Sequence, residues 1–503
     1  VSLTRRLFLL RGAALASTIY AAPSFTKYPF SLGVMSGDPL PDGFVIWTRL
    51  APDPLNGGGM DNTPVEVEWT VAEDDAMRRI VKKGKTTAAP TLSHSVHVEV
   101  SGLKPSRPYW YRFKVGKEES PVGRALTAPR PGEAPNALKF AVASCQHWEA
   151  GLWTAYDDML AGKPDLVVHL GDYIYEGKPN PASVRQHNSA EIVSLADYRN
   201  RHALYKSDPK IQAMHHHCPW LLTWDDHEVD NNYAGDIPED KQSREAFLER
   251  RANAYQAYYE NMPLRLPQQP QGTKMQLYRR VNWGTMAQFT MLDTRQYRTD
   301  QPCNDGRKAP CPGTFDPAAT LLGDTQETWL KQGLDKSPAR WNIIGNQVLM
   351  ARVDLKPGTE EEYSMDQWSG YQANQDRIMQ FLADRKPRNP IVITGDIHSS
   401  WVNDLKVNWK NEKDPIVGTE FTGTSISSGG DGSDERPDTQ AQYRENPHLK
   451  MFNARRGFVM MTLDNKQCRA DYRTVPFVTK PGAPASTHSS WIVENDRRGV
   501  QKA

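Results

Sequence analysis

Five cysteines in 503 residues cannot all pair, so at least one thiol is free. Beyond a short N-terminal segment, no apolar run approaches the roughly 20 residues that cross a bilayer, and no stable membrane span is expected. Neither sign of charge is in excess, with 61 basic against 60 acidic residues. This balance leaves no electrostatic footprint for nucleic acid, and no nucleic-acid-binding module is expected. No internal repeat is present, so the length calls for distinct domains. What is plentiful is tryptophan (14), tyrosine (19) and proline (37), a composition suited to a loop-rich, β-containing protein.

Residues 1–22 read as targeting rather than fold. Arg5, Arg6 and Arg11 make a basic region around two short apolar segments, Leu7–Leu10 and Ala13–Ala16. The run Thr4-Arg5-Arg6-Leu7-Phe8-Leu9 resembles a twin-arginine export signal, with small residues near Ala16 and Ala21 for cleavage. The other readings are a membrane anchor or a basic tail. Export by the twin-arginine machinery implies a periplasmic or secreted protein. In that compartment Cys303 and Cys311, eight apart in a Pro/Gly-rich loop, are the disulfide candidates.

Residues 28–130 read as a small β-sandwich of the fibronectin type III kind. Segments 44–48, 65–71, 96–100 and 109–113 alternate apolar and polar. A Pro-rich linker, 129–135, follows. From 137 to 476 short buried strands alternate with helical patterns, as a layered α/β domain requires. The strands are 138–144, 165–170, 219–223, 287–292, 341–344 and 390–394; helices fall at 152–161, 191–213 and 241–262. Segments 457–463 and 469–475 read as late antiparallel strands, and 477–503 as a C-terminal extension that either folds back or frays. Ser427–Asp438 reads as a mobile surface loop. His215-His216-His217 reads as exposed.

Four strand ends carry polar clusters: Ser144-Cys145-Gln146, Gly171-Asp172-Tyr173-Ile174-Tyr175-Glu176, Asp225-Asp226-His227-Glu228 and Gly395-Asp396-Ile397-His398. In a parallel sheet such ends converge on one edge, where ligands bind. Carboxylates beside imidazoles are what a metal site or an acid–base pair needs.

In these motifs the chain resembles the binuclear metallophosphoesterases, which include purple acid phosphatases. The run Phe30 to Pro39, the Ser-Cys-Gln, Trp224 to Tyr233, Leu292-Asp293-Thr294-Arg295 and Gly395 to Trp401 resemble the PhoD-type alkaline phosphatases and phosphodiesterases in particular. The resemblance, spanning about 28–475, implies a calcineurin-like layered β-sandwich flanked by helices, and a phosphate mono- or diester substrate. It also implies hydrolysis by a metal-activated hydroxide. Cys145 and Tyr175, as thiolate and phenolate, suit Fe3+, with Asp172 bridging and His398 completing that site. Asp226 and Asp396 stand where the superfamily commonly has Asn and His; the added carboxylates favour Ca2+ at the second position. Asp225 and Asn231 are further oxygen ligands. His227 is the group that contacts phosphate or protonates the leaving alkoxide, unless it is a turn histidine oriented by Glu228. Tyr173 is the structural tyrosine of its segment. Arg295 has two readings, a phosphate contact or a salt bridge with Asp293.

Two other functions compete: a phospholipase D-like phosphodiesterase on the same scaffold, and a non-catalytic cell-surface binding module. The intact ligand set argues against the second. A mixed-metal site is loaded selectively more easily before export, so export should follow folding. Replacing Arg5 and Arg6 together by lysine should strand the enzyme in the cytoplasm, and cell fractionation showing normal export would refute this.

Overall fold

The computed structural model describes residues 25–503; the export signal lies outside these residues. Two large sheets share one long strand, Leu449–Asp464. Its first residues pair with Ser400–Lys406, and its later ones with Ala137–Ala143 and Gln467–Val475. The strand changes partners near Gly457. There φ is +153°, and a Cβ would lie 1.9 Å from the Arg473 carbonyl oxygen, so only glycine fits.

The first sheet runs outward from Leu449–Asp464 through three parallel strands, Ala137–Ala143, Leu166–His169 and Trp220–Leu222. The second carries another parallel set: Ala287–Met291, Trp341–Gly345, Pro390–Thr394 and Ile416–Thr422. These strands are buried on both faces, which is why all but Ile416–Thr422, with Thr419 and Glu420 inside it, read as apolar segments. Alternate residues separate the layers. Phe140, Val142, Leu166, Val168 and Leu221 meet Phe289, Ile343, Ile391 and Ile393 between the sheets. Ala141, Ala143, Val167, Trp220 and Leu222 face the opposite way, with Tyr198, Ile211, Tyr255 and Tyr258 of the helices. Ile344 and Val392 pack with Leu330, Leu334, Ile378 and Leu382 of helices Gly323–Asp335 and Gln372–Arg385. The order is therefore helix, sheet, sheet, helix.

The N-terminal unit is two antiparallel sheets closed over Phe44, Ile46, Val67, Val71, Tyr111 and Phe113. One is Val34–Leu40, Gly43–Arg49 and Ser95–Val100; the other holds Val65–Ala72, Ile80–Ala88 and Pro108–Val115. It does not stand apart: Gly37 pairs in parallel with Trp220, so its first sheet continues the central one.

Several expectations need correction. The helix read over 191–213 is two. Leu195–Lys206 starts on a Ser194–Asp197 capping box, and Pro209–His217 starts with Asp208 accepting the Lys210 N–H. Pro209 has no N–H to continue the first helix but suits the first turn of the second. The histidine run ends this second helix and is not exposed. His215 is buried with Nε2 3.1 Å from the Tyr173 hydroxyl, and His216 and His217 are half-buried. The hydrophobic face of a packed helix, absent from a tripeptide read alone, explains the difference. In the loop read as mobile, Ser427 and Ser428 are fully buried. The C-terminal segment does not fray: Ser486–Glu494 pairs along the whole of Gln467–Val475 and extends the sheet. The expected disulfide is formed between Cys303 and Cys311, while Cys145, Cys218 and Cys468 are free and buried.

Lys206 is fully buried, with no carboxylate partner among the described residues. Its Nζ lies 4.4 Å above the Trp47 ring and 3.6 Å from Met35 Sδ. Burial, and then Arg49, hold its pKa well below the usual lysine range. Between that value and about 10.4 the unfolded chain binds a proton the native chain does not, so stability rises with pH there. At neutral pH each tenfold loss of proton affinity on folding costs about 1.4 kcal/mol. Lys206→Met should therefore raise the melting temperature at pH 7 and flatten its rise towards pH 10. A lower melting temperature at pH 7 would show that the contacts with the Trp47 ring and Met35 already compensate the amine.

Candidate active site

The ends of the parallel strands lie on one edge, and the backbone there is unusual. Cys145, Asp172, Asp396 and His398 all have positive φ, at 57°, 55°, 63° and 50°. Non-glycine residues rarely adopt this region, and such residues concentrate at functional sites. These residues follow the strands Ala137–Ala143, Leu166–His169 and Pro390–Thr394 by two to four positions, so the chain turns just past each strand end. Gly171, at φ 110°, makes room for the Asp225 backbone beside it.

Two overlapping clusters result. In the first, donor atoms of Cys145, Asp172 and His398 lie within 4.8 Å of one another. The Tyr175 hydroxyl is 2.8 Å from Asp172 Oδ2, 3.3 Å from His398 Nε2 and 2.7 Å from Ser428 Oγ. Ser428 Oγ also donates to the Cys145 carbonyl at 2.7 Å. Arg456, fully buried, donates to the carbonyls of both His398 and Ser428 and so joins the two loops. In the second cluster Asp225, Asp226 and Asp396 come within the same distance, and Asp172, Asp226 and His227 link the two.

Negative charge is in surplus. Asp172, Glu176, Asp225, Asp226, Glu228, Asp366 and Asp396 crowd an edge whose cations include Arg295, Arg298, Arg456 and, when protonated, His227. The salt bridge read between Arg295 and Asp293 is not formed. The Arg295 guanidinium bonds Asp225 at 2.5 Å and Asp366 at 2.8 Å, and lies 3.6 Å from both Asp226 and Asp396. Asp293 accepts only its backbone N–H. Burial, then neighbouring carboxylates, drive Asp172 and Asp225 well above the usual range, although Arg295 opposes this for Asp225. Burial also takes Asp396 up to about 7. The Cys145 thiol and Tyr175 phenol are pushed up by burial and by Asp172, and His398 is held down to about 3 by burial and then Arg456. Burial opposes a charge on His227, but Glu176, Asp226 and Asp172 outweigh it and raise its pKa.

The residues fit metal ions. Asp172 Oδ1 and Asp225 Oδ2 are buried without a hydrogen-bond partner, although a buried acceptor left unpaired is costly. A soft thiolate, a phenolate and an imidazole form one donor set, and carboxylate oxygens alone form the other.

Residues 140–472 match the PhoD-like phosphatase family, and residues 14–129 match its N-terminal domain. The chain belongs to the PhoD-like phosphatases. It is 52% identical over 492 residues, 97% of this chain and 84% of the relative, to alkaline phosphatase D of Bacillus subtilis (strain 168). A solved structure described as that of PhoD superposes with a TM-score of 0.94 at 52% identity, covering 96% of this chain and 93% of the other. The chain is accordingly a phosphoric-ester hydrolase.

Most residues singled out in the sequence of this PhoD-like phosphatase meet at the site: Cys145, Asp172, Tyr175, Asp225, Asp226, His227, Asp396 and His398. Asn231 is exposed and donates its backbone N–H to Glu176 at 3.0 Å. Its neighbour Asn232 donates a backbone N–H to Asp226 at 2.7 Å. Sequence reasoning missed three partners. Glu176, not Glu228, orients His227, with Oε2 2.7 Å from Nδ1. Glu228 instead accepts the backbone N–H groups of Asp172, Tyr173 and Asp225, and burial raises it to about 7 against those bonds. Ser428 lay in a segment read as a loop. A signal existed for Glu176, which ends the same polar cluster as Asp172; none existed for Ser428.

Glu228→Gln keeps the shape but turns one acceptor into an NH2 group facing a backbone N–H. This should destabilise the fold by about 1–3 kcal/mol. Activity should fall further than the melting temperature alone explains, because Asp172 and Asp225 are the residues released. Calorimetry combined with kcat would check it; wild-type values for both would refute it.

Proposed function

We propose that this PhoD-like phosphatase is an exported alkaline phosphatase or phosphodiesterase with an iron–calcium centre. Cys145, Asp172, Tyr175 and His398 would hold Fe3+; Asp225, Asp226 and Asp396, with Asp172 shared, would hold Ca2+. The observation that carries this reading is the division of one strand edge into a thiol–phenol–imidazole cluster and an all-carboxylate cluster that share Asp172. When bound, the two ions supply Lewis acidity, which neutralises phosphate charge and lowers the pKa of water.

The chain's own residues do the rest. Glu176 fixes Nδ1 of His227, which leaves Nε2 to carry the proton delivered to the leaving alkoxide oxygen. The side chain of His227 is 19% exposed, enough for a substrate to reach. Arg295 is fully buried behind the carboxylates, so it positions Asp225 and Asp366 rather than touching substrate. The fold reading is a calcineurin-like layered catalytic domain over 137–476, with a fibronectin III-like unit over 28–130. The twin-arginine pair would direct export to the periplasm or outside the cell. Alkaline phosphatase D, the name of the relative from Bacillus subtilis, favours a phosphatase over a phospholipase D-like activity.

A phenolate donating to ferric iron absorbs in the visible, so the purified protein should be coloured. Tyr175→Phe keeps the ring and its packing but removes the phenolate. The band should weaken or shift, and activity should fall roughly 10–100-fold or more, with little loss of stability. Absorption spectra with metal analysis decide the matter. A colourless wild type that is fully active with zinc alone would overturn the iron–calcium assignment.

A further inference from the structure

The Cys303–Cys311 loop is contorted in a way its sequence does not favour. Cys303, Asn304, Asp305 and Gly306 have successive φ values of 60°, 59°, 51° and 73°. Asp305, at φ 51° and ψ −173°, occupies a region that is almost exclusively glycine's. One of its carboxylate oxygens is buried without a partner. A nine-residue surface loop does not hold three left-handed non-glycine residues by local preference; closure of the ring between Cys303 and Cys311 imposes the shape.

This shape reaches the all-carboxylate half of the site along two routes. Asp305 Oδ2 accepts from Asn232 Nδ2 at 2.8 Å, and Gln301 Nε2 donates to the Asn232 carbonyl at 2.7 Å. Held at both ends, Asn232 takes a positive φ of 51° and donates its backbone N–H to Asp226. On the second route, Gly306 accepts the Met365 N–H, and Arg307–Lys308 pairs with Tyr363–Ser364. The same segment then presents Asp366 to Arg295 and Gln367 to Asp396, with Gln367 Nε2 2.6 Å from Asp396 Oδ2. Cys145, Tyr175 and His398 are held separately, by Ser428 and Arg456.

We propose that the disulfide ring is a positioning device for the Asp226–Asp396 half of the site alone, with Asn232 and Gln367 as the positioning residues through which it acts. What that half binds rests on the reading under Proposed function; the mechanical coupling does not.

The test compares wild type, Cys303→Ser with Cys311→Ser, and Asn232→Gly. The last keeps the disulfide and tolerates the left-handed backbone, so it folds even where the double variant does not. Two readouts are taken. Hydrogen exchange on the peptide spanning 226–233 should quicken at least about 10-fold in both variants, while the peptide spanning 144–150 keeps its protection. Protein freed of calcium with a calcium-selective chelator, its visible band retained, is then titrated with calcium while hydrolysis of p-nitrophenyl phosphate and the band are followed. The calcium for half-maximal activity should rise about 10–100-fold, with the band unchanged. Equal protection at 226–233 in all three proteins overturns the proposal. So does parallel loss in both peptides, which is what a merely structural disulfide would give. A wild type indifferent to calcium defeats the iron–calcium reading instead, and the exchange result still decides the coupling.

Discussion

Surplus negative charge, forced into a low-dielectric edge where two sheets meet, is the condition around which the rest of this phosphatase is arranged. Seven carboxylates cannot share such a space unless they are fixed and compensated. The chain meets this partly with Arg295, which touches four of them or comes close. Backbone N–H groups also contribute: three point at Glu228, two at Asp226 and one at Glu176. The remainder is left for bound cations. The positive φ angles of Cys145, Asp172, Asp396 and His398, after three of the strands, follow from the same demand, since an ordinary extended exit would carry those side chains past the edge.

The two halves of the edge are secured by different parts of the chain. Ser428 and Arg456 come from the loops and long strand that close the second sheet onto the first, and they hold the thiol, phenol and imidazole. Asn232, Gln367 and the disulfide loop come from insertions after the parallel strands, and they hold the carboxylates. Asp172 belongs to both, and Glu228 fixes its backbone. The two donor sets can therefore differ in rigidity and in chemistry while sharing one oxygen ligand, an arrangement that suits ions of different charge and hardness.

The strand Leu449–Asp464 makes this possible, because it belongs to both sheets and carries Arg456 at the point where it changes partners. The N-terminal unit is coupled less directly, by the parallel pairing of Gly37 with Trp220, on the strand that leads to Asp225, and by ion pairs such as Arg279 with Asp38.

The sequence by itself determined the layered α/β class, the disulfide pair and most of the site. Doubly buried strands leave continuous apolar runs, and a polar residue directly after such a run has few other places to go than the strand edge; Cys145, Asp172, Asp226 and Asp396 were legible for that reason. Only the tertiary structure decided which carboxylate orients His227, since Glu176 and Glu228 are equally plausible in the chain and differ only in which strand end they fold against. It also decided that His215 is buried, that the Asn231 backbone N–H meets Glu176, and that Ser428 lies against Tyr175 rather than in a mobile loop. Those outcomes depend on contacts between residues some 40 to 280 positions apart. Such contacts leave no periodicity or spacing in the local sequence, because they are fixed by the crossing of one loop over another after the sheets have formed.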